Sequence, residues 1–200
     1  MNTSADPQAS LKEEILKINS TFSEEELEAG LRLFEKRSFT ARDNILTMGN
    51  PCDFLYFAEQ SISRCYFKDE LGEEKTLWME PAKMFITDFE SFIKGNPSQC
   101  YLQFYQDSDV WIISRKNLLF LYENHKNWTI FGIKLMEEYH MRILDLFMIL
   151  FRNDASENYQ FIEEKYREFL QVAPLKDIAS MLNVSPVTLS RIRAGKQKKV

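Results

Sequence analysis

The 200-residue chain is long enough for one medium domain and one small one, and its 44% hydrophobic and 28% charged residues are those of a folded globular protein, which excludes a disordered chain. Its apolar runs, such as Phe147–Phe151, are far too short to span a bilayer, and residues 1–10 lack the basic-then-apolar pattern of a leader, so a cytoplasmic protein without membrane contact is expected. The net charge of −5 is unevenly spread: residues 174–200 carry +5 and the rest −10, which suggests a basic end facing phosphates on an acidic body.

In chain order, residues 1–9 read as a loose terminus. Leu11, Ile15, Leu16 and Ile18 make a short amphipathic helix, and Ser23 with Glu26 forms a capping-box pattern opening a helix through Leu27, Leu31 and Phe34. From Phe39 to Ile113 the chain turns to short apolar runs. Strands are predicted at Ile45–Met48, Phe54–Ala58, Ser63–Phe67, Lys75–Met79, Tyr101–Tyr105 and Val110–Ile113. Turn-forming clusters separate them at Gly49-Asn50-Pro51, Asp69–Gly72, Gly95-Asn96-Pro97 and Asp107-Ser108-Asp109. Many short strands joined by turns imply an antiparallel barrel or sandwich. Cys52, Cys65 and Cys100 show no Cys-x-x-Cys spacing and are expected to be reduced, buried thiols. His125 and His140 cannot by themselves supply a zinc site or a recognisable haem ligand, so no metal is expected.

Ser114 caps a short helix with Leu118, Leu119 and Leu121, and a longer helix is predicted over 128–152. On it Ile133, Met136, His140, Ile143, Phe147 and Leu150 alternate in steps of three and four, the seam that zips helices of two chains together. Leu135, Tyr139, Leu146 and Ile149 form a second stripe, fit for the helix's own domain. Asn153–Ser156 breaks the helix, and helices are predicted over Tyr159–Val172, Pro174–Leu182 and Pro186–Arg193.

The last two read as a helix-turn-helix. Ile178, Ala179 and Leu182 form the packed face of the first helix, Asn183 suits a left-handed turn, and Val184 plugs the angle. Ser185 is an N-cap and Pro186 suits the first helical position. Leu189 and Ile192 then face inward. The residues expected to meet DNA are Lys176, Ser185, Pro186, Val187, Thr188, Ser190, Arg191, Arg193, Lys196 and Lys198, with base reading near the start of the second helix and cations on phosphates.

A strand-rich region, a long apolar helix and a terminal helix-turn-helix, with the local stretches Phe54–Glu59, Asp88–Phe92 and Ile178–Arg193, together resemble the cyclic-AMP receptor protein/fumarate-nitrate regulator (Crp/Fnr) family. The resemblance covers the chain from about Glu24 onward. It implies an α+β protein: a cyclic-nucleotide-binding-like antiparallel β-barrel (a double-stranded β-helix) with flanking helices over 10–127, a dimerisation helix over 128–152 and an all-α helix-turn-helix domain over 156–200. It also implies duplex DNA, a second copy of the chain and RNA polymerase as partners, with no enzymatic activity. The effector cassette of the family falls on Phe85, Thr87, Asp88, Phe89, Glu90, Ser98 and Gln99, and here it departs from the pattern. Thr87 replaces a glycine, Asp88 a glutamate, and Ser98 the arginine that would pair with the cyclic phosphate, while Asp88 and Glu90 make the site hostile to an anion. Cyclic AMP is therefore not expected to bind in the usual way; Lys83 and Lys94 are the nearest substitute cations, and the effector is left open. No cysteine cluster for an iron–sulfur centre is present, and with only 194–200 after the second helix no wing is expected. A cupin-type barrel enzyme would need a histidine cluster, which two separated histidines on predicted helices do not make. A barrel that binds a ligand or protein partner, with vestigial DNA binding, is the alternative.

Overall fold

The computed structural model describes residues 6–152 and 154–197; the side chains of residues 148–150, 152, 196 and 197 lie outside that description. Helix α1 (Ala9–Ile18) buries Leu11, Ile15 and Ile18, and α2 (Glu24–Leu31) opens on the expected capping box between Ser23 and Glu26. Eight strands follow in two antiparallel sheets. One sheet has the order β1 (Glu35–Phe39), β8 (Ser108–Ser114), β3 (Phe54–Ala58), β6 (Met84–Ile86). The other runs β2 (Asn44–Leu46), β7 (Tyr101–Phe104), β4 (Ser63–Lys68), β5 (Glu74–Glu80). Helix α3 (Phe89–Lys94) leaves β6, and α4 (Arg115–Asn124) and the long α5 (Lys126–Arg152) follow β8.

Several boundaries differ from expectation. Helix α2 stops at Leu31 instead of reaching Phe34, and the next residues form β1, an edge strand whose Lys36 and Ser38 both hold Asp109 on β8. Charged residues on an edge are a usual guard against edge-to-edge pairing, and they hid this strand from a search for apolar alternation. Strand β6 is only three residues long and was not predicted. Strand β8 starts at Ser108, inside the predicted Asp107–Asp109 turn, because Phe39 pairs with Ser108 and Ser38 with Asp109.

The period-two alternation of strands explains why β3 is apolar throughout. Leu55 and Phe57 point to the helices, where they join Phe85, Ile113, Leu118, Leu121, Trp128 and Phe131. Tyr56 and Ala58 point the other way, into a core between the sheets with Leu46, Cys65, Ile86, Leu102, Phe104, Val110 and Ile112. On the helical side the fully buried Trp128 is the anchor: its indole N–H donates to the Glu26 carbonyl at 2.7 Å, and a Cβ added at Gly30 would overlap its ring. Asn127 donates to the Glu26 carboxylate at 2.6 Å, and that bond holds the carboxyl below its ordinary range.

The C-terminal block comprises α6 (Ala155–Lys165), α7 (Phe169–Val172), α8 (Leu175–Met181) and α9 (Pro186–Gln197). The single helix predicted over Tyr159–Val172 is broken at Tyr166, which leaves helical geometry to stack on Phe169 (centroids 5.1 Å apart) and meet Phe161 edge-on. The core of this block, with Ile178, Ala179, Met181 and Leu189, is continuous with Ile62, Met79 and Tyr105 of the barrel. Polar contacts fix the docking. Arg64 on β4 and Asp177 on α8 pair at 3.2 Å with side chains only 2% and 4% exposed. Arg64 also donates to Gln103 at 3.0 Å and pairs with Glu74, and the Tyr105 hydroxyl donates to Asp177 at 3.1 Å. Thr76, on the edge strand β5, donates its free N–H to Ser180 Oγ at 2.9 Å.

Two outcomes are expected. Gly30→Ala should cost about 1–3 kcal/mol of stability by overpacking, and most of that cost should vanish in a Trp128→Phe background; denaturant unfolding of the four variants checks the coupling. Asp177→Asn leaves Arg64 with Glu74 as its one carboxylate partner and should cost roughly 3 kcal/mol of docking free energy. Amide exchange of α8 and Thr76 should then speed up roughly a hundredfold while β3 and β8 stay protected; uniform acceleration, or none, would contradict a local latch.

Candidate nucleic-acid interface and sensory site

The helix-turn-helix is assembled by local chemistry. Helix α8 ends with the Val184 N–H on the Ala179 carbonyl at 2.9 Å, and Asn183 takes φ 54°, the left-handed conformation that asparagine tolerates best after glycine. Ser185 Oγ accepts from the Thr188 N–H at 3.1 Å, so it N-caps α9, and Pro186 fills the first position, where no N–H is required. Ala179 and Leu189 are fully buried against each other's helices, which turns the opposite face of α9 to the surface. Ser185, Pro186, Val187, Thr188, Ser190 and Arg191 are all exposed, Val187 at 61%. Arg193 is also exposed, but its guanidinium reaches the Tyr159 hydroxyl, which ties it to α6. Lys196 and Lys198, expected on phosphates, lie outside the described side chains.

Lys176 is exposed on α8 and shares a cleft with Ser185 and Pro186, whose opposite wall is Glu73 and Glu74 of the β4–β5 hairpin. Burial pushes the Glu74 carboxyl up, but Arg64 and Lys176 outweigh it and hold it below its ordinary range. The start of α9 thus faces two carboxylates across an open cleft. Asp177 stands an i, i+4 step before the buried Met181, the signal in the sequence that it points inward.

Of the cassette residues, Thr87 and Phe89 line one cavity together with Leu55, Phe92 and Leu135. Phe85 packs in the helical-side core, Phe89 meets the Tyr139 ring at a tilt with centroids 4.2 Å apart, and Glu90 and Gln99 are exposed. Asp88 and Glu90, expected at the effector site, have partners within the chain. Asp88 spends its carboxylate as the N-cap of α3, accepting from Ser91 N–H at 3.3 Å, and Glu90 pairs outward with Lys94 at 2.9 Å. Thr87 and Ser98 are buried, Thr87 donating to the Phe54 carbonyl at 2.7 Å and Ser98 to the Cys100 carbonyl at 3.0 Å. All three cysteines are buried and unbridged; burial raises the Cys52 thiol, which contacts Thr87 Oγ1 at 3.3 Å. Lys83 and Lys94 are both exposed. Among the described residues no group of three or more histidines, cysteines and acids is placed to hold a metal.

Helix α5 carries its two stripes on separate faces. Trp128, Phe131 and Leu135 are buried in their own domain, with Tyr139 half-buried. Ile133, Met136, Ile143 and Phe147 are 54%, 39%, 43% and 54% exposed, and His140 is exposed among them. Leu150 of that seam lies outside the described side chains. Among the described residues no helix is long and apolar enough to cross a membrane.

No protein-family model and no curated protein matches this chain. Solved structures are similar to it in fold. A putative transcriptional regulator of the Crp/Fnr family from Eubacterium rectale superposes with a TM-score of 0.67 at 13% identity, covering 90% of this chain and 86% of its own. The c-di-GMP-responsive global regulator CLP of Xanthomonas campestris gives 0.66 at 15% identity over 88% and 92%. A cyclic nucleotide-binding domain from Methylobacillus flagellatus gives 0.59 at 22% over 69% and 81%. The chain therefore has the Crp/Fnr fold: a cyclic-nucleotide-binding-like pair of antiparallel sheets, a long connecting helix and a C-terminal helix-turn-helix.

Proposed function

We propose that this chain is a cytoplasmic, non-enzymatic transcription regulator that binds an inverted-repeat DNA operator as a dimer. The observation that carries the reading is the outer face of α9: a capped helix start followed by exposed Val187, Ser190 and Arg191, on a helix whose other face is buried. Such a face suits the major groove, where an arginine reaches the O6/N7 edge of guanine, and the excess positive charge of 174–200 suits phosphates. The exposed apolar seam of α5 supports a two-fold dimer, which would set two α9 helices roughly 34–36 Å apart, one turn of duplex. RNA polymerase is the further partner that this role implies. The division into barrel, connecting helix and DNA-binding block belongs to the same reading.

Selection of bound duplexes from a random pool should return an inverted repeat; enrichment of none would favour a barrel module with vestigial DNA binding. Arg191→Ala should cost about 1–3 kcal/mol on the best operator and relax discrimination at one base pair per half-site. Lys176→Ala should instead weaken all duplexes about equally. In the same assay Ile143→Glu, which sedimentation should show to be monomeric, should lose the preference for paired half-sites.

The barrel is read as unable to hold cyclic AMP through its cassette. The one cation in residues 85–100 is Lys94, which is exposed and paired with Glu90, while Asp88 and Ser98 are engaged in backbone bonds. Calorimetry should detect no binding of cyclic AMP or cyclic GMP at micromolar concentrations, and micromolar affinity for either would refute this.

A further inference from the structure

Two of the three thiols meet in the core between the sheets. In the antiparallel pairing of β4 with β7, Cys65 stands opposite Leu102, so Cys100, two residues before Leu102, is its diagonal neighbour on the same face. Both belong to one apolar cluster, and the Cys65 thiol donates a hydrogen bond to the Cys100 sulfur. Cys52 is engaged elsewhere: its sulfur lies 3.3 Å from Thr87 Oγ1 and 3.6 Å from the Phe54 carbonyl oxygen.

The two thiols are not equivalent. Cys65 has no exposed surface, whereas Cys100 is 8% exposed and follows the exposed Gln99, so a small solute meets Cys100 first. The bond from Cys65 holds the Cys100 thiol below its ordinary range; burial opposes it, and Ser98, whose Oγ lies 3.6 Å from the sulfur, adds to it. The same bond, together with burial, pushes the Cys65 thiol up. The pair thus has a more acidic sulfur toward the surface and a protonated one behind it. Oxidation by a peroxide requires that division, an attacking thiolate and a resolving thiol. The backbone also has room to adjust. Cys100 lies just ahead of β7 with its N–H on Ser98 Oγ at 3.1 Å, and the β4–β5 register shifts between Cys65 and Tyr66.

We propose that Cys65 and Cys100 form a peroxide-responsive dithiol that closes to an intramolecular disulfide. The Cys100 thiolate attacks a peroxide oxygen: an S–O bond forms, the O–O bond breaks, and the departing hydroxide takes up the proton that Cys100 released. The Cys65 sulfur then attacks the Cys100 sulfenic acid: the S–S bond forms, the S–O bond breaks, and that oxygen leaves with the Cys65 proton as a second water. Two thiols and one hydrogen peroxide become a disulfide and two waters, and a thiol reductant reverses the change. Closing the contact to a bond of roughly 2.05 Å draws β4 toward Cys100. Arg64, next to Cys65, holds Asp177 of α8, so the docking of the helix-turn-helix responds to the bond. The thiol chemistry stands by itself; its role as a signal to DNA rests on the regulator reading above.

Hydrogen peroxide added to the reduced full chain tests it without DNA. Thiol titration in denaturant should fall from three groups to one, and dithiothreitol should restore all three. Peptide mapping without reductant should join the Cys65 peptide to the Cys100 peptide of the same chain. Cys65→Ala should stop at a sulfenic acid on Cys100, trapped by dimedone, while Cys100→Ala should leave Cys65 unmodified and Cys52→Ala should still form the bond. Three persisting thiols in the wild type, a disulfide through Cys52 or between two copies, or a sulfenic acid on Cys65 would each overturn the pair, and the wild-type result decides even if a variant fails to fold. Oxidation of the wild type should speed amide exchange of α8 about tenfold and change affinity for a selected duplex about threefold or more. Neither change should occur in Cys65→Ala. A disulfide with unaltered duplex affinity would overturn the signalling role alone. A chain that formed the disulfide but bound no duplex in either state would overturn the regulator reading instead.

Discussion

The orientation of the DNA-binding block hangs on one ion pair, Arg64 with Asp177. Both side chains are withdrawn from water, and the effective cost of burying such charges is several kcal/mol per ion, returned only when geometry and supporting hydrogen bonds are complete. Completion here draws on Gln103, Glu74 and Tyr105, so three strands of one sheet must be in place before α8 is held. The arrangement favours a single docked position over a range of loose ones. The same low dielectric pushes the Tyr105 hydroxyl well above its ordinary value, first by burial and then by the charge of Asp177, so that it remains a donor to the carboxylate.

The residues of this latch alternate with residues of the barrel core. Arg64 precedes Cys65, which is fully buried between the sheets, and Gln103 stands between Leu102 and Phe104, which line the same interior. Alternation along a strand means that a shift of β4 or β7 that repacks the inside must also move the latch residues outside. The interior of the barrel is thus mechanically joined to the helix-turn-helix.

How much of this was legible in the sequence depended on distance along the chain. The Ser23–Glu26 box, the Ser185-Pro186 helix start and the left-handed Asn183 are local chemistry, and each is found where the residues alone predicted it. The Asp69–Gly72 turn is equally local: Asp69 accepts from the Leu71 and Glu73 N–H groups, and Gly72 takes φ 80°. Strand β1 was missed because four of its five residues are exposed and its pairing partner lies some seventy positions away. Asp88 shows a local role that the resemblance left unread: its carboxylate caps α3, as an Asp at a helix start commonly does. Arg64, Asp177, Glu80 and Arg142 pair only through the tertiary fold, and no spacing rule could have joined them.

Helix α5 brings these threads together because neighbouring residues on it serve different surfaces. Arg142 reaches Glu80 at the floor of the barrel, while Ile143, next in sequence, is 43% exposed on the apolar seam. About a turn later Phe147, stacked on Phe151 at 4.3 Å, lies on the same seam. A stiff helix cannot turn one of these faces without turning the others, since successive residues are fixed about 100° apart around its axis. Any partner that covers the seam therefore also constrains Arg142, and through it the buried Glu80, whose carboxyl burial has raised against the opposing pull of that same guanidinium.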